Sequence, residues 1–153
     1  MEKIYQLKTL ADTKTIAQAI SKIAKENLYL LLTGPLASGK TQLTKFIGVE
    51  LGVKTVISSP SFIILNQYQT KYPWKLIHID AYRLNKNTDF QEYFELTVNN
   101  FSIIEWPEKI TWDFTKLKTI KINFQLKNQQ RTITITTNNL TEQEIKPLNK
   151  KNV

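Results

Sequence analysis

The residues able to do chemistry begin with one run, Gly34-Pro-Leu-Ala-Ser-Gly-Lys-Thr41. Its spacing is that of a phosphate-binding loop: glycine, four residues, glycine, lysine, then serine or threonine. Each position has a physical task. Gly34 and Gly39 allow the tight turns that aim successive N–H groups at phosphate oxygens. Lys40 supplies a point charge for the outer phosphates, and the Thr41 hydroxyl can ligate Mg²⁺. A helix starting here adds its positive end. The chain has only four glycines, and two occupy the required places. That argues against the competing explanation, an ordinary strand-to-helix turn with a surface lysine.

Such a loop works with a carboxylate at the end of another buried strand. Of the four aspartates, Asp12, Asp80, Asp89 and Asp113, only Asp80 closes an apolar run, Leu76-Ile-His-Ile-Asp80. It is the expected metal-side carboxylate. His78 shares its strand face and reads as a hydrogen-bonded supporting residue rather than a base. Glu105 repeats the pattern at the end of Phe101-Ser-Ile-Ile104. A carboxylate at the C-terminal edge of a parallel sheet faces the ligand crevice, where it can reach Mg²⁺ or position an attacking water. Trp106 follows it and is placed to shield the site.

The elements that must position these groups follow from hydrophobic periodicity. A short strand is expected over Ile4 to Leu7. A helix capped by Asp12 or Thr13 carries Ile16, Ala19, Ile20 and Ile23 at helical spacing. Leu28 to Thr33 is a short apolar run of the buried parallel type. A helix over Lys40 to Leu51 stops at Gly52. Strands are expected over Phe62 to Gln69 and Lys75 to Asp80, and a short helix over Asp89 to Leu96. Phe101 to Ile104 is a strand that ends at Glu105. Leu117 to Leu126 and Thr132 to Thr136 alternate around a turn at Lys127 to Gln130, the mark of an antiparallel hairpin. The order predicts an α/β fold with a mixed sheet flanked by helices. Residues 1–140 are expected to form a single domain, and residues 141–153 a polar, flexible tail.

Composition narrows the function. The chain has 153 residues, no cysteine and one histidine. Disulfides, thiolate metal sites and a cysteine nucleophile are excluded, and zinc chemistry nearly so. A Ser-His-Asp hydrolase would have to use His78. The longest apolar runs, Leu28 to Leu32 and Phe62 to Leu65, are far below the roughly 18–20 residues of a membrane span. The N-terminus lacks the apolar core of a secretory signal, so a cytoplasmic location and no membrane partner are expected. The net charge of +8 favours polyanions. However, 19 of the 21 basic residues are lysines, whereas nucleic-acid readers lean on the arginine fork.

Taken together, the phosphate loop, Ser59-Pro-Ser-Phe62, His78-Ile-Asp-Ala-Tyr-Arg-Leu84 and Ile104-Glu-Trp-Pro-Glu108 resemble the bacterial TsaE family. That family is the small P-loop ATPase of tRNA threonylcarbamoyladenosine biosynthesis, and the resemblance spans roughly residues 4 to 136. It implies a P-loop NTPase-like fold and, as cofactors, ATP and Mg²⁺. Leu36, Ala37, Ser38, Gly39, Lys40 and Thr41 would hold the phosphates. Thr41, Asp80 and Glu105 would serve the metal, with Lys40, Asp80 and Glu105 acting in hydrolysis. Ser59 to Phe62 matches a switch-like segment, with Ser61 where the family commonly has threonine. Arg131 matches a basic nucleotide contact, and Thr9 and Leu10 a further N-terminal contact. The implied partners are the threonylcarbamoyl transferase and its noncatalytic paralogue, with tRNA reached through that complex.

The sequence departs from the family pattern at Pro35, which replaces an acid, and at Ala37, which replaces a glycine. Proline removes an N–H and fixes φ, and alanine resists positive φ. The segment between Asp89 and Phe101 is also shorter than usual. Two other readings remain open. A small-molecule P-loop kinase usually clamps phosphates with several lid arginines, and this chain has only Arg83 and Arg131. A non-enzymatic RNA-binding protein would use the lysines with Tyr72, Trp74 and Trp112, and its binding would fall steeply with salt.

Overall fold

A computed structural model of the chain describes residues 1–60, 64–84 and 89–149. Strand β1 (Glu2–Leu7) leads to α1 (Leu10–Ser21), then β2 (Leu28–Thr33) and α2 (Lys40–Glu50). After these come β3 (Leu65–Tyr68), β4 (Leu76–Asp80), α3 (Gln91–Thr97) and β5 (Phe101–Glu105). The hairpin β6 (Lys118–Lys127) and β7 (Gln130–Asn138) follows. One seven-stranded sheet runs in the order β1-β7-β6-β2-β5-β4-β3. Its centre is parallel, because β2 pairs with both β5 and β6, and β4 with β5. Both edges are antiparallel, through β3 on β4 and β1 on β7. The expected mixed sheet with a C-terminal hairpin is what the chain forms.

Strand β2 is central because both of its faces are apolar. Leu28, Leu30 and Leu32 join a core with Ile16 and Ile20 of α1 and Leu43 and Ile47 of α2. Tyr29 and Leu31 face the opposite layer, with Ile77, Ile79, Ile104 and Phe90. Each fully buried leucine stabilises the fold by about 1.5–3 kcal/mol. This sandwiching fixes β2 in register and so fixes where the loop after Thr33 emerges. Among the described residues, no helix is long and apolar enough to cross a membrane.

Two expectations are corrected. The cap of α1 is Thr9, not Asp12 or Thr13. Asp12 is the reciprocal partner in a capping box, with its carboxylate accepting from the Thr9 and Lys8 backbone N–H groups at 2.8 Å each. Those bonds hold the Asp12 carboxyl below its usual pKa. Residues 141–149, expected as a flexible tail, are instead anchored. Ile145 and Leu148 are buried, and the Leu148 carbonyl accepts from Lys3 Nζ at 3.1 Å and Tyr5 Oη at 3.0 Å. Glu144 pairs with Lys25 and Lys118, and these ammonium groups pull its pKa well down. The strand expected over Phe62 to Gln69 is seen as Leu65–Tyr68, and Phe62 and Ile63 lie outside the described residues.

Candidate functional site

The parallel strands β2, β4 and β5 deliver their C-terminal ends to one edge of the sheet. Glu105 lies in register with Leu32 on one side and Asp80 on the other. Above them the loop from Gly34 closes onto α2, whose first turn is capped by Gly39 with no side-chain hydrogen bond. The N–H groups of that turn therefore remain available to an anion. A cavity of about 750 Å³ opens here, within the range of ligand pockets.

Lys40 is 5% exposed. Its Nζ donates to the Gly34 carbonyl at 2.8 Å, the Pro35 carbonyl at 2.7 Å and Ser38 Oγ at 3.3 Å. It also lies 4.5 Å from the centre of the Trp106 ring. Burial pushes the Lys40 pKa down, and the charges of Glu105, Asp80 and Glu108 partly restore it. The ammonium is thus held in place by the loop's own carbonyls before any ligand arrives.

Thr41 Oγ1 lies 3.2 and 3.4 Å from the two oxygens of Glu105, and His78 Nε2 lies 3.0 Å from Glu105 Oε1. Glu105 is 3% exposed. Asp80 is held differently: Ser59 Oγ donates to its Oδ2 at 3.0 Å and the Tyr82 N–H to its Oδ1 at 3.0 Å. Leu36, Ala37, Ser38, Gly39, Lys40, Thr41, Asp80, Glu105, Trp106, Arg131 and Leu10 all line the cavity. Arg131 approaches the helix cap, its guanidinium lying 3.6 Å from where a Cβ on Gly39 would stand, and its buried Nε has no partner.

Two predicted site residues do not face the cavity. Thr9 does not line it, because its hydroxyl is taken by the helix cap. Gly34 forms the loop's base instead of its lining. Ser61 lies outside the described residues. Tyr82, Gln42 and Lys45 are lining residues that the sequence reading missed. The signal for Lys45 was its position one helical turn beyond Thr41. For Tyr82 it was its place two residues past Asp80. Its ring lies 5.0 Å from that of Trp106.

Two backbone positions carry testable consequences. At Gly34, φ is +131°, and an added Cβ would stand 2.6 Å from the Phe124 carbonyl oxygen and 2.8 Å from Phe124 Cβ. Gly34→Ala is expected to cost about 3 kcal/mol and to lower Tm by about 10 °C in calorimetry. Ala37 adopts φ +58°, the conformation alanine was expected to resist. The Lys40 bonds on both sides of it impose this turn. A left-handed alanine costs about 1–2 kcal/mol, and part of that is recovered by glycine despite its freer unfolded chain. Ala37→Gly is therefore expected to raise Tm by about 2 °C, and a fall would show that the turn is unstrained.

The family profile described as "Threonylcarbamoyl adenosine biosynthesis protein TsaE" matches residues 7–133, a span holding every lining residue of the cavity. The chain is similar to the tRNA threonylcarbamoyladenosine biosynthesis protein TsaE of Rickettsia felis, 34% identical over 131 residues, which cover 83% of this chain and 75% of the relative. The protein of the same name from Aquifex aeolicus is 35% identical over 105 residues, 67% of this chain and 75% of that one. Among solved structures, Bacillus subtilis YdiB shares the fold, with a TM-score of 0.69 at 24% identity over 97% of this chain and 92% of that chain.

Proposed function

Because the chain belongs to the TsaE family, we propose that it binds and hydrolyses ATP in the biosynthesis of threonylcarbamoyladenosine in tRNA. One observation carries this reading. The loop-held Lys40 ammonium and the Thr41–Glu105 pair converge on the same cavity at the C-terminal edge of the sheet. A polyphosphate lying there meets the open N–H groups of the α2 cap, Lys40 and Arg131.

The oxygens offered beside them, Thr41 Oγ1 and the carboxylates of Glu105 and Asp80, suit Mg²⁺. That ion binds through one or two carboxylates and keeps the rest of its shell for water and phosphate. Among the described residues, no three His, Cys, Asp or Glu side chains form a group that could hold a metal ion. When bound, Mg²⁺ supplies charge neutralisation on the phosphate oxygens. In this reading Glu105 would orient the attacking water, with Lys40 balancing charge on the phosphoryl group.

The Ser59–Asp80 bond ties the start of the switch-like segment to the cavity. Nucleotide state can pass through it to a partner. The partners in this reading are the threonylcarbamoyl transferase and its noncatalytic paralogue, and tRNA is met through that assembly.

The test is hydrolysis of radiolabelled ATP with Mg²⁺, by the chain alone and with those partners. Slow turnover alone and faster turnover in the assembly is expected. Equal, vigorous hydrolysis in both would remove the partner-gated reading, and none in either would remove the enzymatic one.

A further inference from the structure

The chain's only histidine, His78, lies in the middle of β4 with no exposed surface. On its strand face, Leu76 of the same strand and Phe101 and Ile103 of β5 are fully buried core residues, and Asn66 of β3 stands opposite it in register. Within this core the imidazole makes one polar contact, Nε2 to Glu105 Oε1 at 3.0 Å. Nδ1 is buried without a partner.

That asymmetry is informative. An ionised carboxylate oxygen only accepts, so the hydrogen must sit on Nε2. Nδ1 has no partner of its own, so the ring's one polar hold in the core is through Nε2. Stability alone does not call for it. Leaving a buried polar atom unpaired is unfavourable, and well-packed apolar residues commonly replace buried polar pairs without loss.

The imidazole does supply a hold on Glu105 from inside the sheet. The Glu105 carboxylate is fixed from two directions, by Thr41 from the helix and by His78 from the strand. If the Thr41 hydroxyl turns to a metal ion, His78 is the hold that remains.

We propose that His78 is a positioning residue: its Nε2–H fixes the Glu105 carboxylate, so that Thr41 can leave it for a divalent cation without the carboxylate swinging away. This rests on that part of the reading above in which the site takes a nucleotide together with a divalent cation. No proton needs to move through the imidazole. Metal ligands held by such outer hydrogen bonds typically lose 10–100-fold in affinity or activity without them.

With a single histidine, the tautomer can be read directly by ¹⁵N NMR of the full, metal-free chain. A proton on Nε2 and a bare Nδ1 are expected, with the Nε2 signal displaced in Glu105→Ala. A proton on Nδ1 with Nε2 bare would overturn the proposal.

The second measurement is Mn²⁺ affinity in the presence of ADP, by electron paramagnetic resonance. His78→Phe fills the space without a donor and is expected to bind Mn²⁺ about 10–100-fold more weakly. ADP affinity without metal should be unchanged. His78→Gln keeps a donor and is expected to stay within about threefold of the wild type. Wild-type Mn²⁺ affinity in the phenylalanine variant overturns the proposal, as does a folded glutamine variant no better than it. Should the phenylalanine variant not fold, the tautomer and the glutamine variant decide: a folded His78→Gln about tenfold weaker for Mn²⁺ is fatal. A wild-type chain that binds Mn²⁺ with ADP yet never hydrolyses ATP would sink the ATPase reading and leave this one standing.

Discussion

Lys40→Ala is expected to remove ATP binding, with Kd raised at least about 100-fold in isothermal titration, equivalent to roughly 3 kcal/mol. The reason lies in how the ammonium is held. Two loop carbonyls fix its Nζ at 2.7 and 2.8 Å, so no side-chain ordering remains to be done when phosphate arrives. Lys40 is itself buried, and there a charge-assisted bond is worth more than in water. Alanine removes the charge and leaves the loop glycines in place. A variant that still bound ATP within about threefold of wild type would show that the N–H groups alone hold the phosphates.

The same substitution has a stability signature. Burial places the folded-state pKa of Lys40 below the ordinary lysine value of 10.5. The folded state therefore releases this proton before the unfolded state does. Its ammonium disfavours folding at neutral pH, and that penalty fades as pH rises through the folded pKa toward the unfolded one. Lys40→Ala should lack this gain at high pH, which denaturation at pH 7 and pH 10 can read out.

Glu105→Ala has a different expected result: ATP binding largely kept and turnover lowered about 100-fold or more. The carboxylate meets Thr41 and His78 and takes no part in gripping the phosphates directly. Deleting it also strands the buried His78 Nε2–H, a loss of about 1–3 kcal/mol. Glu105→Gln separates the two effects. Its carbonyl still accepts from His78, so Tm should stay near wild type while hydrolysis falls. A Glu105→Gln variant with unchanged hydrolysis would strip Glu105 of its assigned role.

That the loop after β2, Asp80 and Glu105 belong together around one cavity was legible in sequence because their signals are local. Each is a fixed spacing or the last residue of an apolar strand, and neither needs knowledge of what lies alongside. The convergence of Thr41, His78 and Glu105 was not legible, because it depends on register between β4 and β5. No residue pattern states that β5 enters between β2 and β4.

The cap of α1 was misplaced because Leu10 is exposed, so hydrophobic periodicity begins only at Ile16 and hides the first turn. The tail was misread for a related reason. Ile145 and Leu148 are two apolar residues in a polar stretch, too few to make a period, yet both are buried, and Leu148 joins the core cluster that holds α1. At Ala37 the residue preference was read correctly but overruled by the hydrogen bonds of Lys40.

The late position of β5 in the chain, together with its place beside β2, bears on how the protein matures on the ribosome. When the nascent chain has been extruded only as far as β4, the glycine-rich turn exists but β2 has neither of its neighbours. Glu105 is not yet synthesised, and the Phe124 backbone that Gly34 packs against is still to come. Pairing across such sequence separations forms late. A product cut short after β4 therefore carries the letters of the loop, but without Glu105, the Phe124 backbone and both neighbours of β2 the proposed site is not assembled.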